Sequence, residues 1–168
     1  MILSDHDIIT QLHSPEFDTL SVSPWSEDMI QPCSVDLKLG SELKTLDGDV
    51  INLLKEDYSL KPQEFILGST FESVRIPTFL CGELTGRSSV ARLGVSCHQT
   101  AGFIDAGFNG NITLELSNAS DKEFPLRVGD SICQLVLFVL SKRALRPYGS
   151  EGLGSKYQDS KGTVESKL

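Results

Sequence analysis

Residues 111–117 read Asn111-Ile112-Thr113-Leu114-Glu115-Leu116-Ser117, an alternation of polar and apolar side chains. Successive side chains of a strand point to opposite faces, so Ile112, Leu114 and Leu116 share one face and Thr113, Glu115 and Ser117 the other. The segment is expected to be a half-buried strand with one carboxylate, Glu115, on its polar face. A carboxylate held rigidly beside apolar walls has its protonated form favoured, which suits acid and base work near neutral pH. A glutamate facing solvent is the plainer alternative.

Upstream of this strand the polar groups crowd together. Gly86-Arg87-Ser88-Ser89-Val90-Ala91-Arg92 puts two guanidiniums and two hydroxyls in one short run. Guanidinium forks meet phosphate oxygens bidentately, although a surface arginine more often pairs with a carboxylate. In Ala101-Gly102-Phe103-Ile104-Asp105-Ala106-Gly107 the small residues let a flat ligand approach the backbone, and Asp105 can accept from a sugar hydroxyl.

Further strands are expected at 34–39, 42–46, 64–75, 79–85, 90–97 and 131–140, the last (SICQLVLFVL) being the most apolar, with a turn at 125–130. Ser4 with Asp7 forms a capping box ahead of Ile8, Ile9 and Leu12, so a short helix opens the chain and ends before Pro15. Residues 16–32 read as loop, with Trp25 as an interface anchor or a cover for the core. Many short strands indicate a mainly β sandwich or barrel rather than βαβ units.

The length of 168 residues, with 39% hydrophobic and 23% charged, fits one globular domain. We divide it into a domain over 1–148 and a glycine-rich polar tail over 149–168 that cannot build its own core. Lys156 and Lys161 among glycines would let that tail close over phosphates, although Gly149 to Gly154 is followed by Ser-Lys and is no Walker loop. A net charge of -8 disfavours nucleic acid as a partner. No apolar run approaches the roughly 20 residues of a membrane span, and the opening residues lack a secretory pattern, so a cytoplasmic location without membrane attachment is expected. Cys33, Cys81, Cys97 and Cys133 form no C-x-x-C pair and are expected as free thiols. Cys97 and His98, neighbours on a strand, would point to opposite faces and make no dyad.

Taken together, the runs GRSS (86–89), TAGFIDAGFNG (100–110) and TLEL (113–116) resemble the dCTP deaminase branch of the dUTPase-like superfamily. The likeness extends to ILSDHDI (2–8), IQPCSVDLKLG (30–40), LGSTFESVRIP (67–77), RPYG (146–149) and GSKYQ (154–158). HQTAGFIDAGFNG together with Gln134 in ICQL is most similar to the bifunctional, dUMP-forming members. The resemblance implies a homotrimer of distorted β-barrel, or jelly-roll, subunits with active sites between them. It implies Glu115 as the catalytic glutamate and residues 87–92 (Arg87, Ser88, Ser89, Val90, Ala91, Arg92) as a nucleotide-binding segment. Ser88 and Arg92 would hold the attacking water and the pyrimidine edge. Asp105 would meet the 3′-hydroxyl and assist the second reaction, and the backbone of Thr113 and Leu114 would read the base. Gln134, Tyr148 and Lys156 would contact the triphosphate. The family often has glutamine where this chain has Ser160, which puts the tail's phosphate contacts in question.

Zinc deaminases carry H-x-E with P-C-x-x-C. His6, His13 and His98 each lack the glutamate, so no zinc is expected. Magnesium is expected as cofactor, held mainly by the triphosphate, with no protein metal ligands. The expected reaction is deamination of dCTP followed by hydrolysis of the dUTP to dUMP and pyrophosphate, with dTTP a candidate inhibitor. The alternatives are a deaminase that releases dUTP, a dUTPase, and a non-catalytic nucleotide sensor on the same fold.

Overall fold

The computed structural model describes all 168 residues. The chain opens with helix α1 (Asp5–Leu12). Ser4 Oγ accepts from the Asp7 N–H while the Asp7 carboxylate accepts from Ser4, the reciprocal cap expected from sequence. The segment expected as loop contains β1 (Ser21–Ser23), a 3₁₀ turn (Glu27–Met29) and β2 (Ile30–Gln31). These elements are too short to show a period. Tertiary pairing makes them, with Val22 opposite Val74 and Ile30 opposite Val35. Trp25 is partly buried, packs on the core and meets the His13 ring edge-on at 5.2 Å.

Then come β3 (Ser34–Lys38), β4 (Glu42–Lys44), β5 (Val50–Asn52), β6 (Tyr58–Leu60), β7 (Phe65–Arg75) and β8 (Leu80–Gly86). The strand expected over 90–97 is corrected. Residues Ser88–Ala91 form a helical turn, α2, and only Val95–Ser96 (β9) is extended. Ala91 N–H donates to Arg87 O at 2.9 Å and Arg92 N–H to Ser88 O at 3.0 Å. Gly94 leaves this turn at φ +85°, where a Cβ would stand 2.8 Å from Ser120 Cβ. Val90 and Val95 imitate a strand in sequence, but the glycine between them breaks it.

The chain finishes with β10 (Phe103–Ile104), β11 (Asn109–Asn118), β12 (Phe124–Leu126) and β13 (Ser131–Val139). The turn expected over 125–130 begins later than that, because Pro125 lies in β12 opposite Ser59, in a two-stranded ribbon with β6 where a missing donor is tolerated.

Two antiparallel sheets enclose one core. The first runs β5-β4-β7-β11-β9, with β1 also on β7, and the second runs β10-β8-β13-β3-β2. Leu37, Leu114, Leu116, Leu135 and Leu137 are fully buried between them. The tail lies along β11 and reaches β4. Asn111 N–H donates to Ser160 O at 2.9 Å, Asp159 N–H to Asn109 O at 2.8 Å, and Thr163 Oγ1 to Glu42 O at 2.7 Å. A strand edge with open backbone groups supplies what a polar tail can use without an apolar core. No helix is long and apolar enough to cross a membrane.

Candidate active site

The polar face of β11 forms the floor of a cleft of about 700 Å³. Alternation places Thr113 and Glu115 here, half-buried, while Ile112, Leu114 and Leu116 anchor the strand in the core. Glu115 N–H donates to Cys97 O at 3.0 Å, and its Oε2 accepts from Gln99 N–H at 2.8 Å. Gln99 Nε2 in turn donates to Ser117 Oγ at 2.8 Å, and Ser117 bonds Ser96 at 2.7 Å. Residues 96–99 thus clasp one side of Glu115, and Oε1 has no partner within the chain. The carboxylate is held at one oxygen and free at the other, as a proton-transfer group requires.

Backbone groups also reach the cleft. Asn111 and Glu115 donate to the tail and to Cys97 respectively, whereas Ile112 N–H points the other way, to Thr70 Oγ1 at 3.0 Å. By the alternation of an antiparallel strand, Thr113 therefore presents its backbone between the tail and β9. Its Oγ1 accepts from Val164 N–H at 3.2 Å. Leu114 is fully buried as a side chain and turns its backbone toward Gly68.

Asp105 is exposed at the cleft wall, which Tyr148 also lines. Tyr148 N–H donates to Ala106 O at 2.7 Å, its ring leans on Phe108 at 6.0 Å, and its hydroxyl accepts from Tyr157 N–H at 2.9 Å. Tyr148 is thus a post to which the tail is tied. Gln158 is a second, with Oε1 accepting from Asn109 N–H at 3.2 Å and Nε2 donating to Gly107 O at 3.0 Å. Sequence reasoning assigned Gln158 no role, although the GSKYQ run contains it. Ser160 lies against Gly110, whose φ of +139° and missing Cβ leave room for its backbone, and Ser160 Oγ donates to Asn111 O at 3.0 Å. Replacing Tyr148 by Phe is expected to remove one tail anchor worth about 1 kcal/mol, seen as faster amide hydrogen exchange at Tyr157. Unchanged exchange would show that the hydroxyl does not hold the tail.

Of the expected site residues, the cleft gathers Asp105, Thr113, Glu115 and Tyr148. The others lie elsewhere. Ser88, Ser89, Ala91 and Arg92 are exposed on α2 and just after it, Val90 is buried beneath them, and Arg92 borders a shallower surface cavity with Ser120 and Lys122. Arg87 is ion-paired with Asp36 at 3.1 Å. Gln134 sits half-buried on β13, and Lys156 is exposed, its carbonyl accepting from Lys167 Nζ at 2.6 Å. The ionisable carboxyls of the cleft are Asp105, Glu115 and Glu165, and no Lys, Arg or His lines it. His98 is half-buried behind Gly102, where a Cβ would stand 3.2 Å from His98 Nε2.

Comparison with known proteins gives consistent results. The family model described as dCTP deaminase-like matches residues 2–140. Proteins named "dCTP deaminase, dUMP-forming" from Corynebacterium kroppenstedtii and Rhodococcus opacus are each 42% identical, with 99% of this chain covered and 97% and 96% of theirs. Among solved structures, a 2′-deoxycytidine 5′-triphosphate deaminase from Agrobacterium tumefaciens superposes with a TM-score of 0.67 at 23% identity. That match covers 83% of this chain and 48% of the solved one, so this chain spans about half its length. The dUTPase of Staphylococcus bacteriophage 80alpha superposes with a TM-score of 0.51 at 21% identity, covering 77% of this chain and 95% of its own. The mainly β, dUTPase-like fold expected from sequence is thus the observed one.

Proposed function

The chain belongs to the dCTP deaminase family, and from that premise we propose that its cleft converts dCTP to dUMP in two hydrolytic steps. Glu115 takes a proton from water as the oxygen attacks C4 of cytosine. It gives that proton to N3, then takes the second proton from the new C4 hydroxyl and passes it to the amino group, so that the C4–N bond breaks, ammonia leaves and dUTP remains. The Thr113 backbone reads the base edge, the Leu114 backbone being turned to Gly68 and so withdrawn from the role expected for it, and Asp105 meets the 3′-hydroxyl. A second water cleaves the bond between the α and β phosphates, releasing dUMP and pyrophosphate, with Asp105 acting through the sugar and Gln134 through the phosphates. The observation that carries the reading is Glu115, clasped at Oε2 by Gln99 and open at Oε1 on a rigid strand.

The cleft itself contains no cation, so it cannot neutralise a triphosphate. Arg92, Ser88 and Ser89 are exposed, and their side chains make no hydrogen bond or ion pair within their own chain. A second copy that brings residues 87–92 to this cleft completes it, and three copies do so with closed symmetry. A homotrimer is the assembly we propose for this role. Lys156 and the tail close over the phosphates once tied at Tyr148 and Gln158. Magnesium, carried by phosphate oxygens and water, would offset phosphate charge. In the same reading dTTP, with the same sugar and triphosphate, is an inhibitor, and the cytoplasm is the site of action.

Incubation of the protein with dCTP and magnesium, with products resolved by anion exchange, is expected to show dUMP and pyrophosphate in equal amounts. Accumulation of dUTP without pyrophosphate would restrict the activity to deamination. Turnover of dUTP with none of dCTP would make the protein a dUTPase, and binding without turnover a sensor.

A further inference from the structure

Three neighbouring strands carry one polar row. Gln134 on β13 stands opposite Thr85 on β8 and opposite Asp36 on β3. Directly opposed residues share a face. Leu135, Leu137 and Cys133 fill the other face of β13, and Val35 and Leu37 that of β3, so the row lies on the side of the sheet away from the core. A carboxylate there would ordinarily be hydrated. Asp36 is nonetheless only 4% exposed.

Its cover consists of polar groups. Arg87 Nη2 lies 3.1 Å from Asp36 Oδ2, and Gln31 Nε2 donates to the same oxygen at 3.3 Å. Arg87 Nη1 donates to Ser131 O at 3.4 Å. One edge of the guanidinium is therefore fixed, while the side chain keeps 32% of its surface in solvent against 6% for Asp36. Asp36 Oδ1 is buried with no donor. Burial pushes the Asp36 carboxyl up from its ordinary range, and Arg87 opposes that shift. Such a pair adds little to stability, since desolvation offsets the attraction. What it secures is the orientation of a cation whose remaining donors stay free.

We propose that Asp36 is a positioning residue for nucleotide binding. It holds Arg87 in the orientation that meets the triphosphate beside Gln134, and does not touch the substrate itself. The inference rests on the dCTP reading above. A guanidinium held in place before binding loses less freedom when phosphate arrives, so the effect falls on affinity rather than on the chemical step.

The test is a double-mutant cycle over Asp36→Asn and Arg87→Met, measured by dCTP kinetics and by calorimetric titration with inorganic tripolyphosphate. Asp36→Asn is expected to raise the KM for dCTP about tenfold with kcat within about threefold, and to weaken tripolyphosphate by a similar factor. In the Arg87→Met background Asp36→Asn is expected to add nothing, because its partner is gone. An unchanged KM, a loss confined to kcat, or a full additional loss in the Arg87→Met background overturns the proposal. Circular dichroism and thermal unfolding check folding. Should Asp36→Asn fail to fold, Asp36→Glu takes its place, with a raised KM expected and a wild-type KM overturning the proposal. If the wild type leaves dCTP untouched, the functional reading fails. Tripolyphosphate affinity still decides the role of Asp36, and equal affinity in wild type and Asp36→Asn overturns it.

Discussion

Replacing Glu115 by Gln is expected to lower dCTP deamination by about a hundred- to ten-thousand-fold, the range that a positioned acid and base supplies. The substitution keeps size and shape. A glutamine oxygen can still accept from Gln99 N–H, and the Glu115 backbone bond to Cys97 is unaffected. Folding stability should therefore stay within about 1 kcal/mol, so lost turnover cannot be ascribed to unfolding. dUTP supplied directly should still yield dUMP, because the groups assigned to that step are Asp105 and Gln134. Deamination at the wild-type rate would remove Glu115 from the mechanism. Loss of both reactions together would mean that Glu115 also serves the phosphate step. Ammonia release and pyrophosphate release, followed separately, distinguish these outcomes.

Gly107→Ala is expected to destabilise the protein and to disable the cleft. Gly107 has φ +93°, and a Cβ there would stand 2.6 Å from Pro147 Cβ and 2.9 Å from both Tyr148 N and O. Backbone cannot yield as a flexible side chain does. Left-handed strain of about 1–3 kcal/mol and overpacking of about 1–3 kcal/mol combine to roughly 2–6 kcal/mol. For a chain of this size that lowers the midpoint of thermal unfolding by roughly 4–24 °C. Gly48 provides the control, since it has φ +90° with nothing within 4 Å of the added atom. Gly48→Ala should show the strain alone. Gly107→Ala should also lose dCTP turnover, because moving residues 147–148 moves the Tyr148 post for the tail. Equal unfolding midpoints for the two variants at matched concentration would show that the approach of residues 147–148 is not rigid.

The alternation of β11 was legible because one face of a strand must be apolar to enter the core and the other need not be. The same rule located β7, β8 and β13 to within a residue or two. It failed at residues 88–96, where Val90 is buried by a helical turn and Gly94 redirects the chain. It was silent on β1, β2 and β10, whose two or three residues carry no period and exist through their partners. In the cleft, Glu115 and Asp105 could be read from motif and face. Gln158 could not, because its role lies in reaching the backbone of Gly107 and Asn109, about fifty residues away in sequence.

By itself, then, the sequence determined the mainly β class, the polar face that carries Glu115, and the residue types suited to a phosphorylated nucleoside. Those properties follow from periodicity and from side-chain chemistry, both local along the chain. Only the tertiary structure decided that α2 presents Ser88 and Arg92 away from the cleft of their own chain. It also decided that the tail docks on the free edge of β11, and that Arg87 is held by Asp36 from another strand. The reason is the same for all three: pairing, burial and charge neutralisation are satisfied between segments distant in sequence, so their outcome depends on which surfaces folding brings together.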